Sequence, residues 1–460
     1  MSIDVKLLRK ILNQVKVDIN NLKVNDKIEK FYQRCNDVKI DFSNYEVNGG
    51  IGLEIVGRPV QFYSLAKKQE YVESVLSMFK KDFDKTKDKN LIKLIDYYVD
   101  NLLYGFSGEN EDNINIDFLI KSFVKEVNNI PIPVQIKLKV KGIYLKGIDH
   151  LESNLKKFQI IIRRPRKEDF KFLSLGRSFI SKDIPSAFIE INLKVRQEDI
   201  NNYMYKGFDH LLNIAEIVTF ALRIFKIGDV EVINRTISYE SILLSPMNSI
   251  DFPNSHIEDF PRYHYALGEK EFKDFLAMLN FINLHINSSI EYNGHENLLI
   301  PLSYNFYCET LINRIQSDKR IAYAVMGLES IYCSAKDKNE VSYKLRVRCA
   351  KTLSLLGYNS VKVFDILKLA YYIRSSFVHG GKTDYKSLNK KLKKLNIKSI
   401  NEFEAFLIDY LRISIALEIS LKDKDVFLKC LDNILIKDSN KSEFKKTYLR
   451  NKVIHKIIIK

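Results

Sequence analysis

The sequence predicts an α+β N-terminal and middle region built on an antiparallel sheet, followed by an all-α helical bundle. Two observations carry this reading. Apolar and polar residues alternate at period two in segments between 134 and 238, and beyond about residue 298 that alternation gives way to three- and four-residue spacing. With 460 residues, 46% of them hydrophobic, the chain exceeds one ordinary domain and has material for more than one core.

Taken in order, residues 1–130 form a mostly helical region. Residues 1–35 and 60–127 carry 3.6-residue spacing, broken by Asn48-Gly49-Gly50 and by the acidic stretch GENEDN at 108–113. The first fifteen residues read as an amphipathic helix rather than a secretory signal, because charges recur every few positions. Residues 131–245 are the α+β region. Val134, Ile136, Leu138 and Val140 alternate with Gln135, Lys137, Lys139 and Lys141, and Ile189, Ile191, Leu193 and Val195 repeat the pattern. Segments 158–164 and 230–238 are further strands. Between them Phe208, Leu211, Leu212, Ala215, Val218, Leu222 and Phe225 make a helical stripe. The apolar run 211–225 is too short to span a bilayer and holds Glu216 and Arg223, so no membrane partner is expected. Residues 246–297 read as connections around one helix at 269–282. Six helices are expected in the helical domain at 298–425, near 299–315, 318–334, 341–357, 360–378, 384–395 and 401–421. A basic tail at 426–460 closes the chain.

No Walker A loop, Rossmann glycine pattern, CxxC pair or HExxH helix is present, so neither a cofactor nor a metal site is expected. The five scattered cysteines fit reduced thiols in a cytoplasmic protein, with Cys308, Cys333 and Cys349 buried in helices. His210, His264 and His285, beside aromatic or apolar neighbours, are read as structural. The formal net charge of +16 suits a polyanionic partner, and its distribution says where. Ten Lys and Arg against Asp365 and Asp384 give residues 361–400 a net +8, half the excess in under a tenth of the chain.

That basic segment contains VFDILKLAYYIRSSFV (363–378), where eleven of sixteen residues are apolar, which predicts a buried helix. Val363, Leu367, Ala370, Arg374 and Phe377 share one stripe, placing Arg374 on the core side, and Gly380-Gly381 stop the helix just past His379. The helix at 320–333 likewise has one charge after Arg320, Glu329, set between Leu328 and Ile331. Two apolar helices with single opposite charges point to an Arg374–Glu329 pair. On residues alone, this is equally a buried ion pair organising a bundle, with His379 complementing the helix dipole.

Arg374-Ser-Ser-Phe-Val-His379 matches the R-x4-6-H motif of the HEPN superfamily, and YYIRSSFVHGG resembles its ApeA-like branch. AYAVMGLESIYC and LRVRCAKTLSLLG, in the same order, extend the resemblance over about 298–422. It implies a metal-independent endoribonuclease, a toxin or antiviral (anti-phage) defence effector in which the ribose 2′-OH attacks its own 3′-phosphate. His379 would then move protons, Arg374 would stabilise the phosphorane, Ser375 would give polar support and Glu329 would hold Arg374. The resemblance also implies a homodimer and gating by the N-terminal region in response to a phage or cellular trigger. RNA is the expected partner, with Lys382, Lys386, Lys390, Lys391, Lys393 and Lys394 neutralising phosphates. Tyr371 and Tyr372 are read as core residues ahead of base-stacking ones. Arg374 and His379 lie about 140° apart on an ideal helix, so either the last turn unwinds or a second copy completes the site. The alternatives are a non-catalytic HEPN module that dimerises and binds nucleotide or RNA, and a purely structural bundle.

Overall fold

A computed structural model describes residues 3–24, 70–79, 115–128, 130–169, 184–195, 207–239, 249–253, 263–286, 288–290, 296–298, 300–312, 315–337, 340–381, 384–437 and 440–449, with six single positions between 92 and 102. The expected breaks at 48–50 and 108–113 lie outside these residues, as does Cys35.

Helices α1 (Val5–Val24) and α2 (Ile116–Val127) belong to the N-terminal region. They bury Leu8, Leu12, Leu119, Ile120 and Phe123, with Tyr71, Val72, Val75 and Tyr98, in a core of their own. The α2 N-terminus is fixed by Asn115, whose side chain accepts from the Asp117 and Phe118 N–H groups and so satisfies two otherwise orphan donors.

The strands are β1 (Ile132–Lys141), β2 (Ile143–Leu145), β3 (His150–Asn154), β4 (Phe158–Arg163), β5 (Ala187–Val195), β6 (Glu231–Tyr239), β7 (Ser249–Pro253), β8 (Tyr265–Leu267), β9 (Ser288–Ile290) and β10 (Glu296–Leu298). Six form one antiparallel sheet in the order β3-β4-β5-β1-β6-β7. Central β1 pairs Ile136 with Ile191 and with Ile237, so the apolar positions of neighbouring strands fall in register on one face. Each fully buried aliphatic side chain on that face contributes roughly 1.5–3 kcal/mol relative to an exposed one. On the other face Arg163 grips Asp169 with both Nη atoms, at 2.6 and 2.8 Å, and Glu190 with Nε at 2.7 Å. Segment 246–297 does more than connect, because β7 supplies the sheet's sixth strand.

Helix α3 (Gly207–Phe225) lies on the sheet and also packs against α4 (Glu269–His285) and the C-terminal bundle. That bundle comprises α5 (Leu302–Leu311), α6 (Ser317–Tyr332), α7 (Val341–Leu355), α8 (Ser360–Val378), α9 (Tyr385–Lys394), α10 (Ile400–Glu418) and α11 (Lys424–Ile436). Sheet, α3 and bundle share one continuous core. The end of α3 shows why. The last four carbonyls of a helix lack intrahelical partners, and here all four are taken by side chains. Tyr265 Oη donates to Leu222 O (3.0 Å), Tyr307 Oη to Arg223 O (2.8 Å), and Arg412 Nη1 to Ile224 O (2.7 Å) and Phe225 O (3.1 Å). Tyr307 and Arg412 belong to the bundle, so α3 is capped by the unit it docks on.

Residues from 424 onward, expected in part as tail, include α11, which buries Phe427, Leu428, Leu431 and Ile434 against the bundle. Among the described residues no helix is long and apolar enough to cross a membrane.

Candidate functional site

Helix α8 begins at Asn359, whose side chain accepts from Lys362 N–H, and buries Val363, Ile366, Leu367, Leu369, Ala370 and Ile373. This corrects the expected stripe. The buried row ends at Ile373, so Arg374 stands about 100° round from it, at the rim of the core rather than inside. The helix buries two adjacent rows, the expected Val363-Leu367-Ala370 and beside it Ile366-Leu369-Ile373, and the expected row leaves the core at Arg374 and Phe377. Nor is the helix buried throughout. Tyr372, Phe377 and Val378 are 62%, 38% and 51% exposed, so parts of its last two turns face solvent. Tyr372 is thus not a core residue.

Arg374 meets Glu329, as the two lone charges suggested. Arg374 Nη2 donates to Glu329 Oε2 at 3.0 Å, with the side chains 24% and 16% exposed. The guanidinium carbon lies 5.5 Å from the Tyr371 ring centroid. Nε of Arg374 is buried and has no hydrogen-bond partner among the described residues, and Nη1 has none either. Burial pushes the Glu329 carboxyl above its ordinary range, against the opposing pull of Arg374. Burial and Glu329 together push the neighbouring Cys333 thiol up to about 11, so it stays protonated at neutral pH. Cys349 is buried as expected, whereas Cys308 and Cys333 are half-buried.

The helix ends cleanly. Gly381 N–H donates to Ser376 O (2.8 Å) and Gly380 N–H to Phe377 O (3.1 Å), the paired bonds of a Schellman motif. Gly380 takes a left-handed φ of 72°, and a Cβ on Gly381 would lie 2.6 Å from Ser376 Oγ. His379 N–H still donates to Ser375 O at 3.2 Å, so α-helical geometry persists to the cap and the last turn does not unwind. Within one chain, therefore, Arg374 faces α6 while His379 projects to solvent, about 140° round and roughly 7.5 Å along the axis. Ser375, between them, is half-buried. Among the described residues no hydrogen-bond partner holds the His379 ring.

Helix α9 follows directly. Asp384 caps it, Leu388 and Leu392 bury its apolar side, and Lys386, Lys390, Lys391, Lys393 and Lys394 are all exposed. Of these five, Lys391 is the one that meets α8, its Nζ sitting 4.4 Å from the Tyr372 ring centroid. Lys382 lies outside the described residues. The sequence reading missed a small hollow between α8 and α9, lined by Leu369, Tyr372, Asp384, Ser387, Leu388 and Lys391. One signal was present: Tyr372 lies off the apolar stripe traced through 363, 367, 370 and 374.

No known protein family, curated protein or solved structure matches this chain.

Proposed function

We propose that the chain is a metal-independent endoribonuclease of HEPN type, acting as a homodimer in which Arg374 and His379 from two copies meet over one phosphate. The observation that carries this is the state of Arg374. It is oriented by a single bond to Glu329, and among the described residues its Nε and Nη1 have no hydrogen-bond partner, while the side chain remains 24% exposed. Leaving a buried donor unmet costs about 1–3 kcal/mol, a cost that an incoming phosphate oxygen on the adjacent Nη1 and local repacking would offset. The exposed apolar groups Phe377 and Val378 beside the motif suit burial by a second copy.

In the proposed reaction His379 takes the proton of the 2′-OH as its oxygen bonds to phosphorus. The P–O5′ bond breaks, the proton passes to the departing 5′-oxygen, and a 2′,3′-cyclic phosphate remains. Arg374 stabilises the extra negative charge on the phosphorane, where its planar fork of donors serves better than a point charge. The lysines of α9 hold flanking phosphates. Defence or toxin action, gated through the N-terminal region, belongs to the same reading.

One observation favours a second reading, a dimeric module that binds RNA or nucleotide without cutting. A general base is ordinarily oriented by a third group, and the His379 ring has none among the described residues. One experiment separates the two. Wild type, Arg374→Ala and His379→Ala are incubated with total RNA in EDTA, and fragment ends are analysed. Cleavage that leaves cyclic phosphates and is lost in both variants, with melting temperatures retained, is the expected result. Cutting that needs Mg²⁺, or that survives His379→Ala undiminished, overturns the mechanism. RNA retention without cutting by any variant supports the binding module.

A further inference from the structure

We propose that Tyr372, Lys391 and Asp384 form a base-reading subsite that selects a nucleobase bearing an exocyclic amino group over uracil. This rests on the RNA reading above and assigns the side of the motif helix on which the nucleotide lies. Tyr372 and His379 are seven residues apart, close to two full turns, so they share a face of α8 about 10 Å apart along the axis. Arg374 lies nearly opposite Tyr372. A nucleotide whose ribose reaches His379 therefore extends its base toward the hollow between α8 and α9, on the same copy that supplies the histidine.

The chemistry of the hollow fits a base. The Tyr372 ring is 62% exposed, and its visible partner is the flexible Lys391 ammonium, 4.4 Å from the centroid. Such a solvent-exposed cation–π contact is worth about 0.5–1 kcal/mol, whereas base–aromatic stacking is worth about 1–3 kcal/mol per base. A base thus displaces Lys391 with net gain, and the freed ammonium is left beside the phosphate backbone.

At the edge of the hollow Asp384 uses Oδ1 to accept from Lys386 N–H at 3.0 Å, which fixes its rotamer. Its Oδ2 and the Ser387 hydroxyl have no partner among the described residues, and both residues line the hollow. A carboxylate only accepts hydrogen bonds. It therefore pairs with the amino group of cytosine or adenine and repels the uracil O4.

The test uses the full chain and short single-stranded 2′-O-methyl oligoribonucleotides, which lack the attacking hydroxyl and stay intact, with binding followed by fluorescence anisotropy. Two strands differ in one position, cytosine or uracil, and a duplex of the same sequence is the third probe. Tyr372→Ala is expected to weaken single-strand binding roughly tenfold or more, leaving the duplex little changed, and Tyr372→Phe to retain affinity. Cytosine is expected to bind about fivefold or more tighter than uracil. Asp384→Asn, which still caps α9 but can also donate, is expected to erase that difference. The subsite is overturned if Tyr372→Ala binds as wild type does, if it weakens single strand and duplex alike, or if Asp384→Asn keeps the cytosine preference. Wild type binding no RNA overturns the subsite and the RNA reading together, whereas EDTA-resistant cleavage with unchanged Tyr372→Ala affinity removes the subsite alone.

Discussion

Four arginines in the bundle form ion pairs among the described residues, and three differ from the fourth. Arg320 donates through Nε to Thr310 O, through Nη1 to Glu404 and through Nη2 to Ile312 O and Ile315 O. Arg348 holds Asp432 with two nitrogens and Asp337 and Tyr332 O with the third, and Arg412 joins Asp409 to the end of α3. In each, Nε and both Nη atoms are engaged. Arg374 has one bond. A guanidinium taken from water is tolerated when its donors are met. The inner three therefore read as fold-holding clamps, and the outer one as a cation oriented for something the chain does not itself contain.

The two classes are expected to fail differently. Arg320→Ala is expected to cost about 3–5 kcal/mol, the range for breaking a buried pair, and to lower the denaturant midpoint or prevent folding. A loss no larger than that of an exposed residue would dissolve the distinction. Arg374→Ala is expected to lower the cleavage rate about 10²–10³-fold while changing stability by about 1 kcal/mol or less. Equal loss of folding and activity would make Arg374 a fourth clamp. Glu329→Gln comes next: with the carboxylate that orients Arg374 gone, cleavage is expected to fall by less than in Arg374→Ala while melting changes little, and a wild-type cleavage rate would refute the positioning role of the pair.

The smallest effect is in pH. Burial raises the Glu329 carboxyl in the fold, so the folded state binds that proton more tightly than the unfolded chain does. The ionised form therefore costs stability above the raised midpoint, and this cost is relieved as pH falls through it. Carbon-detected NMR titration should place the Glu329 midpoint above that of a model peptide, and higher again in Arg374→Ala, because Arg374 pulls it down. Asp337 behaves oppositely. Burial alone would raise it, but Lys344, the Ser334 N–H and Arg348 hold its carboxyl well below the usual range, so its contribution is lost only in strong acid.

Which parts of this were legible in the sequence follows from how many constraints each residue carries. Strands β1, β4, β5 and β6 announce themselves because pairing on both sides and one buried face enforce alternation, as at Val134-Ile136-Leu138. Edge strands β3 and β7 pair on one side and carry no such pattern in HLESN or SIDFP, so they were missed. Helix α8 was legible to the residue at both ends because Asn359 and Gly380 mark them. Where its expected row leaves the core was not, since Val363, Leu367 and Ala370 are buried and Arg374, next in the same row, already stands at the rim. The Arg374–Glu329 meeting could be read because a lone charge in an apolar helix needs a partner. Tyr372 and Asp384 could not, because their proximity depends on how α9 folds back across α8.

The most direct test of the account mixes two inactive proteins. Arg374→Ala and His379→Ala subunits are co-refolded, and cleavage is measured in EDTA. If the site is built from the arginine of one copy and the histidine of the other, each mixed dimer regains one intact site, and random pairing restores about a quarter of wild-type activity. A mixture as inactive as either parent, with wild type active and dimers exchanging, would contradict it.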